Sequence, residues 1–310
     1  MDKEIQFKIE SNQEICQKLW EKFSPHVYLY DEWEYRYCFH KYTNYPFNFI
    51  VGLVEGQEIG ILPLVYDSDE GYLDFFGGFA MEYNKVFIIK GFEQYTNFFY
   101  SNIKDSVFLS EIDPVDQVIN GFESDLDTYY LDVSGFLVFD DFLNNNFAAV
   151  YRKSLNRAIR KVESLGVKIV FNQVLDLEVL FSLNKKRFST DEDKSSFFNA
   201  HEEQIFRDLV KIGIPWEIMS IIIDDKIVAV SLSMFFNKRY YYLMNGADVV
   251  GYPNLGTYLN LMNIKRAIER KDKVIDFGYH DCNWKKLWHL TPNNLYKYKR
   301  GVIDKPNKFL

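Results

Sequence analysis

The sequence is short of cysteine, of long apolar runs and, in its first half, of positive charge. Its three cysteines, Cys16, Cys38 and Cys282, are odd in number and too widely spaced for a CxxC motif. That excludes a disulfide framework and a cysteine-based metal site, and leaves free thiols suited to a reducing compartment. No apolar run reaches the ~18 residues of a membrane span, because Asp224, Asp225 and Lys226 interrupt the best candidate. The charged start, MDKEIQFKIE, does not read as a leader. The expectation is a cytoplasmic chain with no membrane span and no metal.

What is present is size and aromatic bulk. A chain of 310 residues, 47% hydrophobic and 18% aromatic, exceeds the usual ~100–200 residues of one domain and can fill two cores. Charge divides it. Residues 1–140 hold 9 Lys and Arg against 25 Asp and Glu, whereas residues 141–310 hold 27 against 19. The sign changes near Gly135–Asn146, which is the expected seam between domains 1–140 and 141–310. A basic second half suits a polyphosphate cofactor or nucleic acid, and an uneven solvated surface would look the same.

The two halves share a pattern. FIVGLVEGQEIGILPLVYDSDEGYLDFFGG reads as three strands separated by polar turns, and so does WEIMSIIIDDKIVAVSLSMFFNKRYYYLMNG. A shift of 169 residues aligns them without gaps, placing Val54 on Ile223, Gly56 on Asp225, Ile59 on Val228, Tyr72 on Tyr241, Gly77 on Gly246 and Tyr83 on Tyr252. The same shift brings Ser106–Leu109 close to Ile275–Gly278. Ahead of the second meander, Leu155, Ala158, Ile159, Val162 and Leu165 recur at helical spacing up to the stop signal Gly166, and Lys153, Arg157, Arg160 and Lys161 occupy the other face. Further helices are expected at Leu177–Arg187 and His201–Ile212, with the polar stretch Ser189–Ser196 between them.

After the second meander, Tyr252-Pro253-Asn254-Leu255-Gly256-Thr257-Tyr258 opens a helix through Leu261, Ile264 and Ile268. A helix N-terminus offers unpaired N–H groups and a positive dipole end, and glycine lets a pyrophosphate approach closely. Asn254, Leu255, Gly256 and Thr257 are therefore the candidate cofactor-binding residues, although Pro253 and Gly256 also suit an ordinary turn. A strand, Val274–Gly278, follows, and then YHDCNWKKLW. Ligands of open α/β sheets lie beyond the carboxyl ends of strands, so Asp248, Tyr279, His280 and Asp281 could surround one cleft. Proton transfer there needs one base, from Asp281, Asp276 or His280, and one phenol, Tyr279. Lys285 and Lys286 would neutralise donor phosphates or be ordinary surface lysines.

The order of basic helix, meander, Pro/Gly loop, helix, Asp276-Phe277-Gly278 and Trp284-Lys285 resembles the second unit of the CelD-like and FemAB-like double-GNAT proteins of the GNAT superfamily. FFGGFAMEYNKVFI and LPLVY extend the resemblance into the first half. It implies an α/β fold (α+β with mixed sheets) of two tandem GNAT-like domains. The implied activity is acyl transfer from acyl-CoA, such as acetyl-CoA, to an amine or, less readily, a hydroxyl of an amino sugar, amino acid or small peptide. Direct attack on the thioester would be assisted by backbone N–H groups near the end of the Tyr240–Asn245 strand. Two features depart from the family pattern: Gly256 stands alone where two glycines are usual, and the matching loop Tyr83-Asn84-Lys85-Val86 has none. The first unit is accordingly expected to be a degenerate partner that shapes the acceptor pocket. Three alternatives stand beside this reading: a covalent mechanism through Cys282 with His280, a Fem-type enzyme taking its donor from aminoacyl-tRNA, and a non-catalytic binding protein.

Overall fold

The computed structural model of the chain describes residues 4–78, 81–116, 121–188, 200–279 and 283–301. Two compact units emerge, one of residues 1–128 joined by the segment returning from Asn293, the other Tyr129–Pro292. The stretch Gly135–Asn146 therefore folds with the second unit, where Phe142 and Leu143 are core residues. The polar stretch Ser189–Ser196 lies outside the described residues.

In the first unit the elements are β1 (Ile5–Glu10), α1 (Gln13–Phe23), α2 (Trp33–His40), β2 (Phe47–Val54), β3 (Gln57–Asp67), β4 (Tyr72–Phe75), β5 (Phe87–Ile88), α3 (Thr96–Ser101), β6 (Val107–Ile112) and β7 (Phe122–Ser124). The second unit has β8 (Thr128–Asp132), α4 (Phe139–Asn146), α5 (Ala149–Glu163), β9 (Lys168–Phe171), α6 (Asp176–Arg187), α7 (Ala200–Leu209), β10 (Trp216–Ile223), β11 (Lys226–Phe236), β12 (Arg239–Ala247), α8 (Leu255–Glu269), β13 (Val274–Tyr279), α9 (Asn283–Leu287) and β14 (Thr291–Asn293). A last strand, β15 (Tyr296–Arg300), returns to the first sheet and lies between β6 and β7. The sheet orders are β1-β2-β3-β4-β6-β15-β7, with β5 beside β3, and β14-β8-β13-β12-β11-β10-β9.

The repeat read from the sequence is physical. β2 and β3 superpose in numbering on β10 and β11 at a shift of 169 residues, end for end. Both hairpins turn through left-handed pairs, Glu55-Gly56 at φ 50° and 78° and Asp224-Asp225 at φ 49° and 56°, the twist a two-residue hairpin favours. The register slips at equivalent points, Gly52/Leu53 and Ile221/Ile222. Tyr66 N–H donates to Pro46 O as Phe235 N–H donates to Pro215 O, both at 2.9 Å.

At the third strand the gapless shift fails by two residues: Asp67 pairs with Tyr72 and Leu64 with Phe75, whereas their counterparts Phe236 and Ser233 pair with Arg239 and Tyr242, so Tyr72 takes the place of Arg239 and not of Tyr241. After Phe75 the equivalence ends. Val230 and Ala229 of β11 pair with Gly246 and Ala247, whereas their counterparts Ile61 and Gly60 pair with Phe87 and Ile88 of β5. Gly77 therefore does not occupy the place of Gly246. It lies in the turn after β4 at φ 101°, and the chain makes an excursion before re-entering the sheet. That excursion could not be seen in the sequence, because FFGGFAMEYNKVFI is apolar enough to pass for one strand and its flank.

α5 forms where the apolar periodicity placed it. It buries Leu155 and Val162 against the second core and ends at Glu163, and the chain then turns at Gly166, whose φ of 73° suits glycine. α6 crosses β12 closely: a Cβ on Gly246 would stand 2.7 Å from Leu180 O and 2.9 Å from Leu183 Cβ. Cys16 and Cys38 are buried thiols outside any disulfide, and burial pushes the Cys16 thiol up to about 12.

Candidate active site

The site is built where two parallel strands part. β12 and β13 pair through Arg239–Val274, Tyr240–Ile275 and Tyr241–Asp276, and no later rung joins them among the described residues. Beyond Tyr241, β12 stays on β11 as far as Ala247, so the free side of its second half opens a wedge toward β13. Ser233 pairs with Tyr242 and Leu232 with Met244, which leaves Leu243 as the extra residue of a β-bulge inside that wedge. A bulge re-aims backbone groups, and this one stands at the divergence.

The loop out of β12 is held by Asp248. Its Oδ1 accepts from Gly251 N–H at 3.2 Å and from Lys186 Nζ at 3.3 Å, and its carbonyl accepts from Tyr252 N–H at 3.0 Å. These contacts give Asp248 a loop-forming task. Asn254 then takes the left-handed conformation, φ 74°, and α8 begins without a side-chain cap. Leu255 is fully buried and its N–H donates to Tyr252 O at 3.1 Å, while Tyr258 N–H donates to Asn254 O at 2.9 Å. The N–H groups of Gly256 and Thr257, lying between, are those the helix leaves for a ligand. Gly256 is open: an added Cβ would meet only Val249 Cγ1, at 3.5 Å.

At the end of β13, Asp276 is committed rather than reactive. It is 2% exposed, paired with Arg239 at 2.8 Å, and its Oδ1 accepts from Gly278 N–H at 3.0 Å. Tyr279 closes the strand, half-buried. His280, Asp281 and Cys282 lie outside the described residues. Lys285, expected to meet donor phosphates, instead points inward: it is 3% exposed and donates to the carbonyls of Phe277 (3.0 Å), Gly278 (2.9 Å) and Tyr279 (2.8 Å). Its ammonium also lies 5.0 Å from the Tyr129 ring centroid. A buried ammonium needs such acceptors, and this set ties down the last turn of β13 where it leaves β12. Lys286 is exposed and lines a separate cleft of about 690 Å³ with Phe147, Tyr151, Leu287 and His289.

Three contributors, Leu243, Asn184 and Tyr242, were not singled out from the sequence, and a fourth, Phe277, entered only as part of the Asp276-Phe277-Gly278 resemblance. Leu243 is a bulge residue, and a bulge carries no composition signal. Asn184 of α6 donates to Asn245 O at 2.9 Å and steadies the wedge wall; a buried asparagine in an apolar helical stripe was its only clue. Tyr242 and Phe277 face each other edge to face, 5.5 Å between centroids. Burial holds the Tyr242 phenol well above its ordinary range, so it remains an O–H donor, to Asn260 Oδ1 at 3.1 Å.

Comparison with known proteins fits this geometry. Residues 149–286 match the family description "Acetyltransferase (GNAT) domain". No curated protein matches the sequence. Among solved structures, FemX aligns over 95% of this chain and 97% of its own at 12% identity, TM-score 0.62. L-PGS from Bacillus licheniformis covers 96% and 94% at 9% identity, TM-score 0.59. A tandem GNAT protein from the clavulanic acid biosynthesis pathway covers 97% and 100% at 11% identity, TM-score 0.53. The chain thus has the tandem GNAT-like fold over nearly its whole length, and residues 149–286 of its second unit are similar to the acetyltransferase (GNAT) domain family.

Proposed function

We propose that the second unit transfers an acyl group from acyl-CoA directly to an amine, or less readily a hydroxyl, of an amino sugar, amino acid or small peptide in the cytoplasm. One observation carries the reading: the wedge between β12 and β13 opens beside the uncapped N-terminus of α8. The pyrophosphate of the donor would rest on the N–H groups of Gly256 and Thr257, with the helix dipole favouring its charge. The pantetheine arm would lie in the wedge. The bulge at Leu243 would turn a backbone N–H toward the thioester oxygen, where negative charge develops as the amine attacks. The amine's proton would leave through the carboxyl end of β13, where Tyr279 stands and His280 and Asp281 follow in sequence. The amine displaces the thiolate of CoA in one addition–elimination, and no enzyme-bound intermediate is required.

The first unit supports a single donor site in the chain. Where a wedge would open between β4 and β6, the excursion fills it: Asn84 N–H donates to Glu111 O at 2.9 Å and Asp113 N–H to Asn84 O at 2.8 Å, forming a parallel bridge of Asn84 with Ile112. Met81, Glu82, Tyr83 and Asn84 are all buried.

Calorimetric titration with acetyl-CoA tests the reading. Gly256→Ala is expected to fold and bind, since its Cβ meets only Val249, whereas Gly256→Trp should fold and lose binding at least about tenfold. Absence of binding by the parent chain would remove acyl-CoA as donor. An aminoacyl-tRNA donor would then move forward, favoured by α5, whose Lys153, Arg157, Arg160 and Lys161 are exposed and form no ion pair among the described residues. Its mark would be steep loss of activity with salt.

A further inference from the structure

We infer that the second unit binds a small aromatic carboxylate in the cleft between α5 and α9, at a site separate from the proposed donor site and independent of the acyl-CoA reading. The cleft holds about 690 Å³, inside the ~300–1,000 Å³ of pockets that take small organic ligands. Phe147, Ala148 and Tyr151, at the entry to α5, line one side of it. Lys286 and Leu287 of α9, with His289 just beyond, line the other. Its lining shares no residue with Leu243, Gly256 and Thr257.

The rings of the cleft are set in place before any ligand arrives. Phe147 is 4% exposed, and its ring lies 5.4 Å from that of Tyr151 and 6.3 Å from that of His289, centroid to centroid. Buried Trp288 meets Phe147 edge to face at 6.2 Å, its Nε1 donates to Tyr151 Oη at 3.0 Å, and its carbonyl accepts from Asn146 Nδ2 at 2.9 Å. His289 stands in a left-handed turn, φ 59°, closed by its N–H donating to Lys286 O at 3.0 Å. On the α9 side Leu287 is 56% exposed, so apolar surface remains open to water. A flat ring covers such surface and stacks on its neighbours with few torsions to freeze, whereas a flexible chain loses rotamer freedom on entering.

Charge fixes the other half of the ligand. Among the described residues the lining includes one lysine and one histidine but no carboxylate. The first turn of α5 borders the cleft through Ala148 and Tyr151 and contains no acidic residue, so the positive end of its dipole adds to the same sign. The neighbouring C-terminal turn of α4 is offset by Arg152, whose Nη1 donates to Asn144 O at 3.0 Å. One lysine matches a monoanion, and a carboxylate directed to Lys286 leaves its ring against Phe147 and Tyr151.

The test is calorimetric titration of the full chain with 2-naphthoate, octanoate and the uncharged 2-naphthalenemethanol, repeated with Lys286→Gln, with Ala148→Trp and in saturating CoA. Lys286 and Ala148 are both exposed, so each variant is expected to fold, and the indole of Ala148→Trp would occupy the cleft. The expected result is saturable 2-naphthoate binding, at least about threefold tighter than that of the alcohol or of octanoate and unchanged by CoA. Lys286→Gln should bring the acid and the alcohol to within about twofold, the loss of one exposed charge contact, and Ala148→Trp should weaken both at least about tenfold. Absence of saturable 2-naphthoate binding, or binding that neither folded variant alters, would overturn the inference. Octanoate binding as tightly as 2-naphthoate would overturn the aromatic class, and competition by CoA would overturn the separateness of the site.

Discussion

Lys285 shows how much a single residue's burial changes its meaning. In sequence it is one of two adjacent lysines after a tryptophan, and nothing in that pattern separates a phosphate ligand from a surface charge. In the fold it serves three carbonyls at the end of β13. Replacing it by methionine leaves those acceptors without a charged donor, so Lys285→Met should cost on the order of 2–4 kcal/mol in chemical denaturation, a larger loss than an exposed lysine such as Lys286 would give.

His40 makes an opposite kind of prediction. It is 5% exposed, with Phe47 at 4.5 Å and Phe76 at 5.2 Å, and burial lowers its pKa to about 4. The unfolded chain binds this proton near pH 6.5 and the folded chain does not, so stability is lost as pH falls from about 6.5 toward about 4. The carboxyl of half-buried Asp74, raised by desolvation to about 7, works in the other sense, its stabilising proton being lost as pH rises through that value. Comparing thermal unfolding of the parent with His40→Phe isolates the first effect: the variant should lose less stability between pH 6.5 and pH 4.5.

At the scale of elements, the close crossing of α6 over β12 depends on Gly246. A methyl group there would stand 2.7 Å from Leu180 O and 3.1 Å from Asn184 N, both backbone atoms that cannot rotate away. Gly246→Ala should therefore destabilise by about 1–3 kcal/mol and, by shifting Asn184 from Asn245, weaken donor binding; an unchanged Tm would contradict this placement of α6. The meanders themselves were legible in the sequence because alternation and turn residues repeat at one spacing, and β2, β3, β10 and β11 fell where that spacing put them. The helix opening at Leu255 was legible for a similar reason. The bulge at Leu243 and the divergence of β12 from β13 were not, since both depend on which backbone groups go unpaired, and pairing is a property of two segments at once.

At the scale of the whole molecule, the chain's last described strand belongs to its first unit. β15 hydrogen-bonds to both β6 and β7, and Asp125 N–H donates to Leu295 O at 2.9 Å. The sequence reading assigned that strand to the second half, because nothing in Tyr296–Arg300 says which sheet it will join. Truncation after Pro292 should leave the facing edges of β6 and β7 open, making the first unit sensitive to proteolysis and the chain prone to associate. Survival of a protease-resistant first unit in the truncated chain would contradict this.

The central claim is that the α8 N-terminus and the β12–β13 wedge hold one acyl-CoA. Its most direct test is to follow backbone amide resonances of the isotopically labelled full chain during titration with CoA and acetyl-CoA. The account predicts saturable shifts at Gly256 and Thr257 with both ligands, and at Leu243 most strongly with the thioester. Binding that leaves those three amides unmoved, or no binding at all, would contradict it.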